Sequence, residues 1–508
     1  MDCLKRALCL VILLALVAAS GCGPRESRAA RPRLVLLYVP CSLSRHYLGP
    51  YNPAVRYTPA LSAFAREATV FLRHQTEAGQ SGPAYASIFS GTQADRHGVY
   101  RHPSWLRHEA YLIAEAFNER GYEPHYWNGH LMASADLNFA QGVRREHVHE
   151  RPQDMSDPEG LTANDAEFAA ILDRLTRDRA YRAFVQVNFT LTHSPYTEIL
   201  PRAIEEFRRG FPEEWPDLSE AELALFRRRY RRQQLRLQWD FPALIRERKW
   251  TPAEVRGLAL TLEAHYKASV LLLDTLFGRL VASIRRAGLL DESLIAFTAD
   301  HGETLYREHT LFKWTHGLQL TPDEIQVPLI VRTPGPRGLA AYPGVSRSID
   351  VHPTLAGLAG FRVPNDQVDG VDLSGAVLGR VPAPALRGFS HTMPLTPPLV
   401  EGFRGWFVSR FHPSTDVTLM WTAVRDGDTY VRRCRGEDGR WRTEAFDLAG
   451  DPAAERDVFD PRNPLHRELE RELAAYKGNL VARHPGHERQ EPSEDEARER
   501  LRALGYIR

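Results

Sequence analysis

Short runs of apolar residues recur along this chain and predict buried strands. They are LVLLYV at 34–39, AFVQVNF at 183–189, SLIAFTA at 293–299 and VPLIV at 327–331. The first run is continuous rather than alternating, which is typical of a strand covered on both faces of a parallel sheet. The first run ends at Pro40 and is followed by Cys41, so a thiol stands where a predicted strand leaves the sheet.

Helical patterns lie between these strands. Apolar residues have helical spacing within 58–71 and within 110–122, and the second stretch stops at Gly121. A longer amphipathic pattern covers 265–291 and includes Gly288 near its end, where glycine is common. Strands that alternate with helices predict an α/β fold with a large mixed, mostly parallel sheet flanked by helices.

Two regions depart from this alternation. The segment 204–260 is dense in charge and predicts a helical insertion in which Phe226, Tyr230 and Leu237 share one face. Its arginines indicate either a solvated helix surface or a cationic rim for an anionic ligand or lipid headgroups. Short alternating runs with an Asp-Gly turn predict a small antiparallel C-terminal subdomain at 380–480.

The composition is that of an ordinary globular protein and excludes nucleic acid as the expected partner. The 508 residues carry a formal net charge of +1, with 43% hydrophobic and 25% charged residues. This balance provides no cationic surplus for a nucleic-acid backbone. The length suits a large domain, placed at 32–379, and the smaller one after it, followed by a charged helix or tail at 481–508.

The N-terminus is predicted to be an export signal. Lys5 and Arg6 precede a short apolar run, which assigns residues 1–21 to a signal peptide rather than a membrane span. The run ends in AASGC, and these small residues before Cys22 resemble a bacterial lipobox, whose cysteine is lipidated. Residues 22–31 then form a polar tether, and the protein is expected in the bacterial cell envelope, anchored to a membrane of the periplasm or the outer membrane. The alternative is plain secretion after cleavage near Cys22.

Two cysteines remain after the export signal and Cys22 are set aside. They are Cys41 and Cys434. Because the predicted architecture places them in different domains, we expect two free thiols rather than a disulfide.

Polar side chains with catalytic chemistry follow the predicted strands or open a predicted helix. Loops at the carboxyl ends of parallel strands meet at one edge of a sheet, so one site can gather them. There a carboxylate and an imidazole hold a divalent ion, a hydroxyl attacks, and histidine and lysine balance charge on an anionic ester. The candidate residues are Ser81, His193, Asp300, His301, Lys313 and His316.

Five motifs follow one another along the chain. They are SGPAYASIFSGTQADRHGV, FTADHGE, SIDVHPTLAGLAG, DGVDLSGAVLG and EAFDLAGDPAAERDV. In their order they resemble the sulfatase family of the alkaline phosphatase superfamily, and the resemblance extends over nearly all of the chain after the export signal. The resemblance implies an alkaline-phosphatase-like fold and a metal-dependent hydrolase whose substrate is an anionic sulfate or phosphate ester.

The resemblance also implies a role for individual residues. Asp300 and His301 stand where the family has two ligands of a divalent cation, which is calcium in the family. His193 matches a histidine that contacts the anionic group of the substrate. His316 falls where the family has a substrate-side lysine or histidine, and Lys313 lies nearby.

The sequence departs from the family pattern in two places. The signature Cys/Ser-x-Pro-x-Arg, which precedes conversion to formylglycine, is met at Ser81 and Pro83, but Tyr85 replaces the arginine and its fixed charge. Cys41 occupies the position of the first metal-binding aspartate, and Ser42 that of a second acidic residue. A ligand set that includes a thiol suits zinc better than calcium.

Three functional hypotheses therefore stay open. The first is an exported, lipid-anchored sulfatase-like hydrolase of sulfate or phosphate esters. The second is a catalytically degenerate protein that keeps the fold and binds a ligand. The third is a zinc-dependent phosphoester hydrolase that uses unmodified Ser81, with Cys41 as a metal ligand.

Overall fold

The computed structural model describes residues 31–101, 103–150, 159–196, 199–239, 241–247, 249–392, 421–435 and 440–483. The predicted signal peptide, Cys22, the tether up to residue 30 and the tail from residue 484 lie outside these ranges. Within them, no helix has the length and apolar character needed to cross a membrane.

A mixed sheet organises the larger part of the described chain. Its eight strands there are β1 (Leu34–Pro40), β2 (Thr69–Gln75), β3 (Glu123–Asn128), β4 (Val148–Glu150), β5 (Ala183–Phe189), β6 (Ser293–Thr298), β7 (Leu329–Arg332) and β8 (Ala341–Arg347). They lie in the order β4-β3-β5-β1-β6-β7-β2-β8. Neighbours from β4 to β6 are parallel, as are β2 and β8, whereas β7 is antiparallel to β6 and to β2. The predicted fold class, mixed and mostly parallel, is confirmed.

Helices cover both faces of this sheet, and a last one packs on the C-terminal sheet described below. In chain order the helices of the described residues are α1 (Pro59–Ala65), α2 (Ser81–Ser90), α3 (Ala94–His97), α4 (Ile113–Asn118), α5 (Glu159–Arg177), α6 (Pro201–Gly210), α7 (Glu220–Trp239), α8 (Phe241–Arg246), α9 (Pro252–Arg286), α10 (Pro322–Ile325), α11 (Val351–Leu358), α12 (Ser374–Val377) and α13 (Pro464–Arg483). Short 3-10 helices include Arg45–Tyr47, Leu131–Ala133 and Arg145–His147.

The first predicted helix was extended too far. The helix ends at Ala65, and the residues from Thr69 onward form β2. Val70 pairs with Ile330 of β7, so a β-branched residue inside the predicted helical stretch is used in the sheet. The pattern predicted over 265–291 instead begins at Pro252, where Thr251 accepts a hydrogen bond from the backbone of Glu254.

The core has two layers because successive side chains of a strand point to opposite faces of the sheet. Leu34, Leu36 and Tyr38 of β1 belong to one apolar cluster, which is covered mainly by α9. Val35 and Leu37 belong to the other, which is covered by α2, α4 and α11. Every residue of β1 is buried, as its continuous apolar run predicts.

The helical insertion packs against the first layer. Phe226, Tyr230 and Leu237 are all buried in the apolar cluster of this layer, although the helix that carries them is kinked at Gln233, whose φ of −125° is not helical. The ring of Phe226 lies over Gly257 of α9, where an added Cβ would come within 2.5 Å of ring carbons. The absence of a side chain at Gly257 therefore allows the insertion to pack closely against α9.

The described C-terminal part is a four-stranded antiparallel sheet, which confirms the predicted subdomain. Its strands are β9 (Arg387–Thr392), β10 (Trp421–Asp426), β11 (Thr429–Arg435) and β12 (Trp441–Asp447). The β10–β11 turn has Gly427 at a φ of 58°, which suits glycine at the first central position of a hairpin. Cys434 is buried in this sheet as a free thiol, and Cys41 is also free, as predicted.

Candidate active site

Loops that follow three adjacent parallel strands meet at one edge of the large sheet. Cys41 follows β1, His193 lies four residues beyond β5, and Asp300 lies two beyond β6. The backbone N–H of Cys41 donates to the carbonyl of Phe189 at 2.7 Å, and that of Asp300 donates to Pro40 at 3.3 Å. These bonds fix the three loops against one another, which is the edge where α/β sheets carry their ligands.

A possible metal-binding group lies at this edge. One donor atom each from Cys41, Asp300 and His301 lies within 4.8 Å of the others. Nε2 of His301 is 3.9 Å from Sγ of Cys41 and 3.4 Å from Oδ2 of Asp300. All three residues are fully buried.

The two oxygens of Asp300 have different partners. Oδ1 accepts backbone N–H bonds from Ser42 at 3.0 Å and from His301 at 2.6 Å. Oδ2 is buried and has no hydrogen-bond partner among the described residues. A buried carboxylate oxygen without a donor is costly, and a cation would satisfy it. This orphaned oxygen, beside a thiol and an imidazole, fits a divalent ion, and the mixed N, O and S donors favour zinc.

Ser81 contacts two members of this group. It is the first residue of α2, and its Oγ lies 2.9 Å from Nε2 of His301 and 3.5 Å from Sγ of Cys41. Nδ1 of His301 lies 2.8 Å from the carbonyl of Gly302, so Nδ1 carries the hydrogen and donates it. Nε2 is therefore the acceptor of the Ser81 hydroxyl.

Two further histidines face this centre. The ring of His316 lies 4.2 Å from that of His301 and 4.9 Å from that of His193, between centroids. Nδ1 of His316 is 3.1 Å from Oε2 of Glu303, a fully buried carboxyl that the sequence analysis did not single out. Its position within TADHGE, three residues after Asp300, is the signal that could have found it.

Lys313 is held by its own loop. Its Nζ donates to the carbonyl of Glu308 at 3.1 Å and to the carbonyls of Arg307 and Thr310. These bonds fix the loop that carries His316. The predicted role of Lys313 in balancing substrate charge stays a prediction.

Burial dominates the electrostatics of the site. It raises the pKa of the Cys41 thiol well above its usual value, and the nearby charge of Asp300 raises it further. Burial also raises the pKa of Asp300 and lowers the pKa of His193 to about 4. The site thus disfavours isolated charge, and a bound cation would favour the thiolate and carboxylate forms.

Tyr85 fills the position of the signature arginine with a neutral side chain. Its hydroxyl donates to the carbonyl of Val39 at 3.2 Å. Its ring packs near Phe89 and lies 5.4 Å from the ring of His130. Tyr85 is fully buried, so it contributes packing rather than a fixed positive charge.

The helical insertion connects two loops of the site. Nε2 of Gln238 lies 2.6 Å from the carbonyl of Trp314 and 3.4 Å from Oγ of Ser194. Ser194 adjoins His193, and Trp314 is two residues before His316. The insertion therefore ties together the loops that carry both histidines.

Comparison with known proteins identifies sulfatases as relatives of this chain. A family model described as Sulfatase matches residues 35–361. Arylsulfatase A of Bos taurus is 30% identical over 200 residues, which are 38% of this chain and 38% of that protein. An ulvan-active sulfatase of Formosa agariphila is 23% identical over 452 residues, covering 85% of this chain and 77% of that protein.

Solved structures share the same architecture. One, in complex with its substrate D-glucosamine-2-N,6-O-disulfate, has a TM-score of 0.65 at 18% identity and covers 90% of this chain and 99% of that chain. The phosphonate monoester hydrolase of Agrobacterium radiobacter has a TM-score of 0.60 at 20% identity, covering 89% of this chain and 96% of that chain. At these identities the likeness shows the fold.

Proposed function

The chain belongs to the sulfatase family, and from this premise we propose that it hydrolyses sulfate or phosphate esters with unmodified Ser81 as the nucleophile and zinc as the metal ion. Cys41, Asp300 and His301 would hold the ion. The observation that carries the proposal is the contact of Ser81 Oγ with both His301 Nε2, at 2.9 Å, and Cys41 Sγ, at 3.5 Å. The hydroxyl thus lies beside the donors.

The unmodified state of Ser81 is supported by its surroundings. Tyr85 replaces the arginine of the modification signature and is packed in the core, so the fixed charge of that signature is missing. A serine hydroxyl is a weak nucleophile unless a base or a metal activates it. Bound zinc supplies Lewis-acid stabilisation of ester oxygens and favours deprotonation of a nearby hydroxyl.

The residues of the chain provide the remaining steps. The Ser81 hydroxyl donates its hydrogen bond to Nε2 of His301, and that nitrogen would instead bind the ion when zinc is present. The hydroxyl would then release its proton to water as Oγ forms a bond to the phosphorus or sulfur and the bond to the leaving oxygen breaks. His316, oriented by Glu303 at 3.1 Å, is placed to give that oxygen a proton. Water would then hydrolyse the seryl ester and restore the Ser81 hydroxyl, and His316 would regain its proton from solvent.

The substrate class is proposed from the relatives. One structural neighbour was solved with a sulfated glucosamine as its substrate, and another is a phosphonate monoester hydrolase. The substrates named for these two neighbours, a sulfated sugar and a phosphonate monoester, each carry an anionic group with a tetrahedral sulfur or phosphorus. An anionic sulfate or phosphate ester is therefore the substrate that the site is proposed to take, with His193 and Lys313 on its anionic side.

A second candidate function is ligand binding without catalysis. Ser81, Cys41, Asp300 and His301 each have 0% of their surface exposed, so an ester needs a rearrangement of the loops to reach Oγ. Only one carboxylate stands among the donors, where the family pattern has more. Both observations favour a degenerate member that keeps the fold and loses turnover.

The test combines metal content, the state of Ser81 and turnover. Purified protein is stripped with a chelator and reloaded with zinc or calcium, then assayed with an aryl sulfate, an aryl phosphate and a phosphate diester. Mass spectrometry of the Ser81 peptide measures its modification. Zinc-dependent turnover with an unmodified serine supports the proposal, and formylglycine overturns the role of the hydroxyl. Stoichiometric zinc without turnover supports the binding protein.

We also propose that the protein is exported and lipid-anchored in the bacterial cell envelope through Cys22. The support is the sequence: Lys5 and Arg6, the apolar run and AASGC. Labelled fatty acid should enter the wild-type protein in cells and not the Cys22→Ala variant. Release of both proteins into the soluble fraction would contradict the anchor and favour plain secretion.

A further inference from the structure

A second cluster of metal-ligating side chains lies at the edge of the large sheet formed by β3 and β4. Glu123 and His125 occupy alternate positions of β3, so both side chains leave the same face of the strand. His147 ends the 3-10 helix that precedes β4. Donor atoms of the three residues lie within 4.8 Å of one another. Oε1 of Glu123 is 3.4 Å from Nε2 of His125 and 3.9 Å from Nε2 of His147.

This cluster is separate from the candidate active site. Glu123 is paired with Ala183 at the amino end of β5, whereas Phe189, at the other end of β5, is paired with Pro40. Six residues that each advance about 3.3 Å give a separation of about 20 Å along the strands. The two clusters therefore lie at opposite ends of the parallel strands.

We propose that Glu123, His125 and His147 bind a zinc ion. Two imidazoles and a carboxylate are a ligand set that zinc accepts, with water in the fourth position. The hydroxyl of Tyr181 donates to Oε1 of Glu123 at 2.8 Å and lies 3.3 Å from Nε2 of His125. Such a partner orients the ligands of a metal.

Two arginines compete with an ion for these donors. Arg144 lies 2.8 Å from Nε2 of His147 and 3.2 Å from Oε2 of Glu123, and Arg174 lies 2.8 Å from Oε1. Their side chains are 60% and 52% exposed, so solvent weakens both ion pairs, whereas a bound zinc ion stabilises the fold that holds it. Arg174 also stacks over the ring of Tyr181, a contact that it can keep when an ion takes its place at Oε1 of Glu123.

The experiment uses the full chain with Cys41→Ser, which removes the thiol from the candidate active site. Zinc is measured by elemental analysis and by competition with a chromogenic chelator. We expect this protein to retain about one zinc ion, and His147→Asn to weaken its binding at least about 100-fold. Arg144→Gln should tighten binding a few-fold because it removes the competing donor. His108→Asn, at an exposed histidine outside the cluster, is the matched control and should change nothing.

Unchanged zinc binding in the His147→Asn variant would overturn the proposal, as would weaker binding in Arg144→Gln. Cobalt binding to the protein with Cys41 intact distinguishes this site from the site of the proposed function. A thiolate ligand gives cobalt a near-ultraviolet charge-transfer band, so ions at the Cys41 site would show the band and ions at the Glu123 site would not. Circular dichroism shows whether His147→Asn folds, and it should, since only that half-buried imidazole is changed.

Discussion

Oγ of Ser81 lies 2.9 Å from Nε2 of His301, and 220 residues of the chain separate them. Cys41 and His316 adjoin the pair: Sγ of Cys41 is 3.5 Å from Oγ of Ser81, and the ring centroid of His316 is 4.2 Å from that of His301. Nε2 of His301 can therefore either accept the hydrogen bond of the Ser81 hydroxyl or bind a metal ion. Competition for that nitrogen connects metal binding to activation of the hydroxyl.

Ser81→Ala should remove hydrolysis and keep metal binding. Without Oγ, kcat for an aryl phosphate or sulfate should fall at least about 10³-fold, since the nucleophile is lost. Zinc affinity should change by no more than a few-fold because the three donors remain. The matched control is Ser87→Ala in the same helix, whose Oγ lies 3.1 Å from Nε2 of His97. It should cost about 1 kcal/mol of stability and leave kcat unchanged. Full activity in Ser81→Ala would refute the role of the hydroxyl.

The double substitution Cys41→Asp with Ser42→Asp should raise affinity for calcium and magnesium. It supplies hard carboxylate oxygens in place of a thiol and a hydroxyl. Ser42 has a φ of 57°, a left-handed conformation that aspartate tolerates. Because both sites are buried, the variant should be less stable without an ion and gain thermal stability on adding calcium. Cys434→Ser is the control thiol change. An unchanged calcium affinity, measured by titration calorimetry, would show that the metal site lies elsewhere.

Glu303 is predicted to position His316. Glu303→Ala should lower kcat about 100-fold because the imidazole loses its orienting acceptor, with little change in KM or zinc affinity. Glu303→Gln keeps an acceptor oxygen and should recover most of that loss. Glu324→Gln is the matched control, since Glu324 is a buried carboxyl that instead bonds Thr304 at 3.1 Å. Equal activities of the alanine and glutamine variants would contradict a positioning role.

Acid should destabilise the fold through buried histidines. Burial lowers the pKa of His352 and of His391 from 6.5 to about 4. Below about pH 6.5 the unfolded chain takes up protons that the folded chain refuses, so the free energy of unfolding falls until about pH 4. His352→Gln should make this slope shallower by up to about 1.4 kcal/mol per pH unit.

Urea unfolding followed by circular dichroism at several pH values measures that slope. His108→Gln changes an exposed histidine and should leave it as in the wild type. A wild-type slope in His352→Gln would mean that this imidazole is already protonated in the folded protein.

The sequence by itself determined the secondary structure of the centre of the fold. The continuous apolar run of β1 indicates a strand covered on both faces, and in the structure β1 is such a strand, between β5 and β6. The order of the motifs around Ser81 and Asp300 likewise indicated the family. A short segment is enough to predict a buried strand, because the apolar residues that indicate it are neighbours in the sequence.

Only the tertiary structure decided which groups touch. The change from helix to strand between Ala65 and Thr69 depends on the pairing of β2 with β7 and β8. The spacing of apolar residues within 58–71 does not predict that pairing. The contact of Glu303 with His316 and the orphaned oxygen of Asp300 depend on how loops pack after the strands align. The distance between two residues far apart in the chain depends on how all the intervening helices and strands pack. The sequence of a single segment does not specify that packing.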